Sequence, residues 1–147
     1  MKRFCENAIQ AKGIMDDAVR FVIDHQLKDR KTWKLYIDVF TSRVDSTDER
    51  WRGEYFGKQM RGACYAYMYT HDEQLYDMLT WAAEEILKTQ DSYGRISTYT
   101  ADHEFCGWDM WCRKYVLTGL QHYYRICRDE ALKEKILTAC CKHLDYI

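Results

Sequence analysis

The sequence predicts a single all-α domain, residues 1–147, built from helical hairpins, and three observations support this. Proline is absent from the 147 residues and glycine occurs only seven times, a composition that favours long uninterrupted helices. Apolar residues recur at steps of three and four along much of the chain, as they do in amphipathic helices. Residues 55–87 also align with residues 112–144 at a constant offset of 57, which indicates two copies of one helical unit.

The N-terminal third contains one clear helix and one ambiguous segment. From Ala8 to about Leu27, the apolar positions follow one face of an amphipathic helix. The stretch from Trp33 to Phe40 fits either a short strand or a helical turn, and the sequence leaves both possibilities open. Residues 41–50 form a polar connector with helix-capping chemistry near Asp45–Asp48.

Each copy of the repeat predicts a helix, a short turn and a second helix. The first hairpin covers about residues 54–89 and the second about residues 108–146. Asp72 and Asp129 occupy equivalent positions directly after the two turns. Each suits the N-cap of the helix that follows, because a carboxylate there accepts hydrogen bonds from unpaired first-turn amides.

Stacked hairpins of this kind form either an open solenoid or a closed (α/α) toroid. The two hairpins are joined by a long connector from Gln90 to Gly107, which holds a β-like run at Arg95–Thr100, and loops of this length usually carry function. Gly62 and Gly119 are equivalent positions inside the first helix of each hairpin. We expect both to allow a neighbouring helix to approach closely.

Composition excludes several classes of function. The net charge is −1 and the pI is about 6.5, so no electrostatic argument favours nucleic acid or an anionic membrane as partner. No apolar run approaches the roughly 18 residues that a membrane span needs, and residues 1–20 lack the pattern of a signal peptide. We therefore expect a cytoplasmic protein, and the odd, irregularly spaced set of seven cysteines favours reduced thiols over disulfides.

Three strings of residues carry a family resemblance. They are Trp-Arg-Gly-Glu-Tyr-Phe-Gly-Lys at 51–58, Gln-Asp-Ser-Tyr-Gly-Arg-Ile-Ser-Thr-Tyr at 90–99 and Gly-Trp-Asp-Met-Trp-Cys-Arg-Lys-Tyr at 107–115. Together they resemble the N-terminal part of the catalytic barrel of β-L-arabinofuranosidase-type glycoside hydrolases, which are six-hairpin (α/α)6 barrels. The resemblance covers roughly residues 33–147. It implies a partial toroid that supplies barrel wall and sugar-binding rim for hydrolysis of β-L-arabinofuranosides or related plant-glycan linkages, with carbohydrate as the partner.

Five residues are candidates for contact with a sugar. The carboxylate of Glu54 could accept hydrogen bonds from sugar hydroxyls, and Trp51 could stack on a sugar ring. Trp108 and Asp109, at the start of a predicted helix, could bind a neutral polyol, and the loop residue His103 could hydrogen-bond a hydroxyl. The structural alternatives are that Glu54 and Asp109 complement the amino ends of their helices and that the indoles pack.

The resemblance also raises the question of zinc. It implies a cysteine nucleophile held by zinc, bound by a Glu-x-Cys pair and a later Cys-Cys pair. This chain contains Glu104-Phe105-Cys106 and Cys140-Cys141, but both fall within the stretch that resembles the early barrel. Adjacent residues on a helix diverge by about 100°, so the cysteine pair does not suit one metal ion. We therefore expect no metal and no other cofactor in this chain, and we assign no catalytic residue.

Two functions of different classes follow. The last predicted helix runs to Ile147 without a stop signal, and the five predicted helices are too few to close an (α/α)6 barrel. We therefore expect this chain alone to be inactive as a glycosidase. The alternative is a non-catalytic helical-repeat module that binds a partner or self-associates, for example as a homodimer through exposed apolar hairpin faces.

Overall fold

A computed structural model describes residues 10–46 and 51–147, and within these ranges the chain forms six α-helices and no β-strand. The helices are α1 (Ile14–Val22), α2 (Arg30–Ser42), α3 (Gly53–Thr70), α4 (Glu73–Lys88), α5 (Asp109–Ile126) and α6 (Glu130–Tyr146). A π-helical turn, Ile23–Leu27, extends α1, and a 3-10 turn, Ala101–His103, lies in the connector before α5. The predicted all-α fold class is confirmed. Ala8, where the first predicted helix starts, and Asp48 of the proposed capping segment lie outside the described residues, as does Cys5, one of the seven cysteines.

The ambiguous segment at residues 33–40 is helical and forms most of α2. Asp29 caps this helix, because its carboxylate accepts hydrogen bonds from the amides of Lys31 at 3.0 Å and Thr32 at 3.2 Å. The apolar residues Trp33, Ile37 and Phe40 are all buried. Their spacing of four and three places them on one face of a helix, which a strand would not do.

The two predicted hairpins are α3–α4 and α5–α6, and their aspartates cap the second helix of each. An oxygen of Asp72 accepts from the amide of Leu75 at 2.9 Å. Asp129 accepts from the amides of Ala131 at 2.8 Å and Leu132 at 3.2 Å. The N-caps predicted from the repeat are therefore confirmed. None of the helices in the described ranges is long and apolar enough to cross a membrane.

Helices α3 and α5 run parallel and in close contact, which fixes the relative position of the two hairpins. A Cβ added at Gly57 would lie 1.8 Å from the carbonyl oxygen of Tyr115, and one at Gly119 would lie 2.9 Å from the Cα of Gly57. The predicted close approach at Gly119 is confirmed. It is wrong at Gly62, because that glycine lies on the exposed side of α3 with nothing within 4 Å of an added Cβ.

The connector between α4 and α5 is a loop and not a strand, and its residues 94–99 are buried. Its run Arg95–Thr100 makes one isolated parallel bridge, between Asp45 and Tyr99. Other amides of the run bond to side chains; the amide of Ile96, for example, donates to Nδ1 of His143 on α6 at 3.0 Å. Backbone amides that already donate hydrogen bonds to side chains do not need a neighbouring strand as partner. The β-like sequence therefore forms an irregular segment.

Candidate functional site

Four aromatic side chains form a partly exposed cluster where α3 and α5 begin. Trp51 lies edge-on to Trp108 with ring centres 6.5 Å apart, and Trp108 lies edge-on to Trp111 at 6.0 Å. Trp111 in turn contacts Tyr115 at 5.2 Å. The three tryptophans are 44 %, 41 % and 39 % exposed in chain order, which is unusual for the largest apolar side chain. We call this set the aromatic cleft.

Glu54 places a carboxylate in the aromatic cleft. It belongs to the first turn of α3, and its side chain is nearly buried. One oxygen accepts from Nζ of Lys58 at 2.6 Å, and the other accepts from the indole N–H of Trp111. The carboxylate thus links α3 to α5 and keeps lone pairs that further donors could use.

Cationic side chains surround the end of the aromatic cleft that Trp111 and Tyr115 form, which we call its lower end. Nζ of Lys114 lies 3.4 Å from the ring centre of Trp111 and 4.3 Å from that of Tyr115. Nζ of Lys58 lies 4.9 Å from the Tyr115 ring centre, and the guanidinium carbon of Arg61 lies 5.9 Å from it. These distances are typical of cation–π contacts, and they make one end of the cleft positively charged.

Asp109 does not face the cleft. It is fully buried, and its carboxylate accepts from the hydroxyl of Ser97, from the amide of Phe105 at 2.9 Å and from Arg113, whose Nη2 lies 2.8 Å away. Arg113 is fully buried as well. The structure therefore gives Asp109 the position of an anchor that ties the connector to α5, and direct contact with a sugar would require these bonds to break.

The ion pair continues into a network that fastens the connector to α6. Glu104 accepts from Arg113 at 3.2 Å, from Arg95 at 3.3 Å and from the hydroxyl of Tyr146 at 2.7 Å. Burial alone would raise the pKa of Glu104, but the hydrogen bonds from Tyr146, Arg113 and Arg95 outweigh it and lower that pKa below its usual range. The carboxylate is therefore held ionised by donors already in place.

His103 lies apart from these contacts, on the exposed 3-10 turn. Its Nδ1 is 3.1 Å from the hydroxyl of Thr100 and 3.2 Å from a carboxylate oxygen of Asp102, so its bonds stay within its own turn. Among the five predicted site residues, the structure thus brings Trp51, Glu54 and Trp108 together. It places Asp109 beneath them and His103 on the neighbouring loop.

Trp111 and Tyr115 belong to the cleft but were not among the predicted site residues. Both occur in the string that carries the family resemblance. Trp108, Trp111 and Tyr115 are spaced by three and four, which puts them on one face of a helix. That spacing could have identified them, but an aromatic stripe of this kind more often packs in a core.

The described residues do not fit a zinc ion. They contain no cluster of three or more His, Cys, Asp and Glu side chains that could hold a metal. Glu104 is bonded to two arginines and a tyrosine, Cys106 and Cys141 are exposed, and burial raises the pKa of Cys140 to about 11. A metal site needs deprotonated ligands that converge, so no chemical step is assigned to zinc here.

Comparison with known proteins identifies one family. The family model described as β-L-arabinofuranosidase, GH127 catalytic domain, matches residues 10–147. No curated protein and no solved structure matches the chain significantly. The family resemblance carried by the three strings is confirmed.

Proposed function

The chain belongs to the family of β-L-arabinofuranosidase GH127 catalytic domains, and on that premise we propose that it forms barrel wall and sugar-binding rim in such an enzyme. The substrates would be β-L-arabinofuranosides or related linkages of plant glycans. The observation that carries the proposal is the aromatic cleft with Glu54 between its rings.

The cleft has the two chemical features that neutral sugars require. Sugar rings present flat C–H faces, which stack on exposed aromatic faces such as those of Trp51 and Trp108. Sugar hydroxyls donate hydrogen bonds, and the Glu54 carboxylate is an acceptor positioned beside those rings. In this proposal Asp109 supports the cleft from beneath, and His103 is placed on the adjoining loop to meet a longer glycan.

The proposal assigns binding, and not bond cleavage, to this chain. A retaining glycosidase needs a proton donor and a nucleophile about 5 Å apart. The carboxylate in the aromatic cleft belongs to Glu54, and Lys58 and Trp111 already bond to it, so it is not paired with a second carboxyl group as proton donor. We therefore propose that the nucleophile, and the zinc ion that relatives use, are not supplied by this chain.

Calorimetry and turnover measured together test the proposed function. The intact chain is titrated with 4-nitrophenyl β-L-arabinofuranoside and with L-arabinose, and release of nitrophenol is followed in parallel. We expect binding without turnover, and Trp108→Ala should weaken binding at least tenfold, because Trp108 is 41 % exposed and the substitution removes the ring on which a sugar would stack. Turnover by the pure chain would contradict the assignment of roles.

Tyr93 offers a matched control for the loss of an exposed aromatic. It is 76 % exposed and lies next to Gly94, which contacts α6 near Lys142 and not the cleft. Tyr93→Ala should leave the affinity unchanged. If both alanine variants lose affinity equally, or if the unaltered chain binds neither compound, the cleft is not the sugar site.

Exposed apolar surface favours self-association as a second candidate function. A groove of about 510 Å³ on the α5–α6 side is lined by Met110, Leu117, Cys140, Leu144 and Ile147, among others. Leu144 is 56 % exposed. Light scattering would detect a dimer, and Leu144→Glu should return it to a monomer if this face forms the contact. A monomer at all concentrations would contradict this candidate.

A further inference from the structure

Three cationic side chains gather around a single ring at the lower end of the aromatic cleft. Lys114, Lys58 and Arg61 all lie within 5.9 Å of the ring centre of Tyr115. They come from two helices, since Lys58 and Arg61 belong to α3 and Lys114 belongs to α5. Their convergence therefore depends on the tertiary contact between α3 and α5, and it is more than a charged face of one helix.

The positive charge of this group is not balanced by the protein. Lys58 forms an ion pair with Glu54 at 2.6 Å. Across the parts of the chain that the structure describes, Arg61 and Lys114 form no ion pair with a carboxylate. Cation–π contacts stabilise such groups by about 0.5–1 kcal/mol each at exposed sites, but they leave the charge in place. An excess of positive charge therefore remains in a chain whose net charge is −1.

We propose that the aromatic cleft takes an acidic glycan, in which a uronic acid residue adjoins the furanoside and its carboxylate is bound by Arg61 and Lys114. The inference rests on the proposed function and specifies its substrate class. A uronic acid has a sugar ring and a carboxylate, and the lower end of the cleft offers aromatic and cationic partners for these two groups. Its ring can pack beside Trp111 and Tyr115, whose rings the cations already contact, and its planar carboxylate matches the fork of an arginine.

The geometry favours a carboxylated sugar over an extended polyanion. A nucleic acid needs a basic stripe that follows many phosphates, whereas here three cations surround one ring and Glu54 adds a negative charge at the same place. A single carboxylate is the size of anion that such a group can neutralise. The lower end would thus favour glycans that carry a carboxylate, while the other end, formed by Trp51 and Trp108, would bind neutral sugar rings.

Titration of the intact chain with paired probes tests the inference. Trigalacturonic acid and its methyl ester have the same sugar rings and linkages, and they differ in that the ester carries methylated, uncharged carboxyl groups. We expect the acid to bind at least tenfold more tightly than the ester at low ionic strength, with a preference that shrinks as salt is added. Equal affinity for the two probes would overturn the inference.

Variants then assign the preference to the two cations. The double variant Arg61→Gln with Lys114→Gln should bind acid and ester alike, and Lys114→Arg alone should retain the preference. Lys135→Gln removes an exposed lysine of α6 and serves as the matched control, which should behave as the unaltered chain. A preference that survives the double variant would overturn the assignment.

Two further probes separate this inference from the function on which it rests. Succinate carries carboxylates without a sugar ring and should bind at least tenfold more weakly than trigalacturonic acid, and equal binding would mean a general anion site and overturn the sugar assignment. If 4-nitrophenyl β-L-arabinofuranoside binds and the acid shows no advantage, only the acidic-glycan inference fails. If the acid binds and the arabinofuranoside does not, the uronate site stands and the proposed arabinofuranoside function fails.

Discussion

The first turns of α3 and α5 carry the same kind of sequence and serve different purposes. Each places an acidic residue near a tryptophan, Glu54 after Trp51 and Asp109 after Trp108. Glu54 lies at the aromatic cleft with its side chain 10 % exposed, whereas Asp109 is fully buried. The connector before α5 causes this difference, because its Ser97 hydroxyl and Phe105 amide close over Asp109.

The partners of the two carboxylates show what each can do. Glu54 bonds to a lysine whose side chain is 40 % exposed, so this lysine can be solvated if a sugar hydroxyl takes its place beside the carboxylate. Asp109 bonds to Arg113, which has no exposed surface, so neither charge can be solvated if the pair is broken. One first turn is therefore suited to binding and the other to holding the fold.

Removing the charge of Asp109 should give the largest loss of stability. Asp109→Asn keeps the size of the side chain but leaves Arg113 buried with only Glu104 to offset its charge. We expect the free energy of unfolding to fall by about 3–5 kcal/mol, the cost of breaking a buried ion pair from one side. Urea denaturation followed by circular dichroism measures this change.

Asp38→Asn is the control for that substitution. Asp38 pairs with Lys34 one turn away on α2, and both side chains are more than half exposed, so the loss should be below about 0.5 kcal/mol. Equal losses in the two variants would mean that the connector does not depend on Asp109.

Gly57→Ala tests the helix contact that places the two first turns side by side. A Cβ at Gly57 would collide with the carbonyl oxygen of Tyr115 at 1.8 Å, and backbone cannot move aside as a flexible side chain can. We expect a loss of about 2–3 kcal/mol from overpacking. Gly62→Ala meets nothing within 4 Å and should instead stabilise α3 by about 0.5–1 kcal/mol. A neutral Gly57→Ala would contradict the close approach of α3 and α5.

These two glycines also show how far the sequence could be interpreted. The repeat and the apolar spacing predict hairpins at about 54–89 and 108–146, close to the observed helices, because burial of one helix face dominates local structure. The same periodicity does not reveal which other helix a face will meet. Gly62 was therefore expected at a helix contact, although Gly57 is the residue that makes it.

The connector could not be predicted, for a different reason. Several of its amides bond to nearby side chains, such as that of Arg95 to Asp91, but the amide of Ile96 bonds to His143, which is 47 residues away. No local pattern encodes a bond of that kind. The burial of Asp109 depends on this loop. The sequence could therefore predict an acidic residue in the first turn of α5, but it could not predict whether that residue would be buried or exposed. Trp51, Glu54 and Trp108 stay predicted site residues, and the structure places Trp51 in contact with Trp108 and Glu54 in contact with Trp111.

Acid should weaken the attachment of the connector to α6. Burial, and then the positive charge of Arg113, lower the pKa of His143 from 6.5 to about 4, although the nearby Asp109 and Asp91 raise it. The unfolded chain therefore binds a proton that the folded chain does not, and stability falls as the pH drops from 6.5 towards 4. The pKa of Asp91 is lowered to about 2, so its contribution is lost only below that window.

The expected loss between pH 6.5 and pH 4 is about 2–3 kcal/mol, since one pKa unit corresponds to about 1.4 kcal/mol. Urea denaturation at a series of pH values measures it. In His143→Gln the slope over this window should become shallower, even if the variant is less stable throughout. A slope that is unchanged in His143→Gln would place the acid sensitivity elsewhere.

Glu54→Gln should have a small effect on stability and a large effect on binding. Glutamine can still accept a hydrogen bond from the indole of Trp111, and the lost ion pair with Lys58 is partly exposed, so we expect a loss below about 1 kcal/mol. Affinity for 4-nitrophenyl β-L-arabinofuranoside should fall at least tenfold, because a neutral amide is a weaker acceptor for sugar hydroxyls than a carboxylate. Calorimetry and urea denaturation of the same preparation give both values. A variant that lost as much stability as Asp109→Asn, with binding unchanged, would reverse the roles assigned to the two first turns.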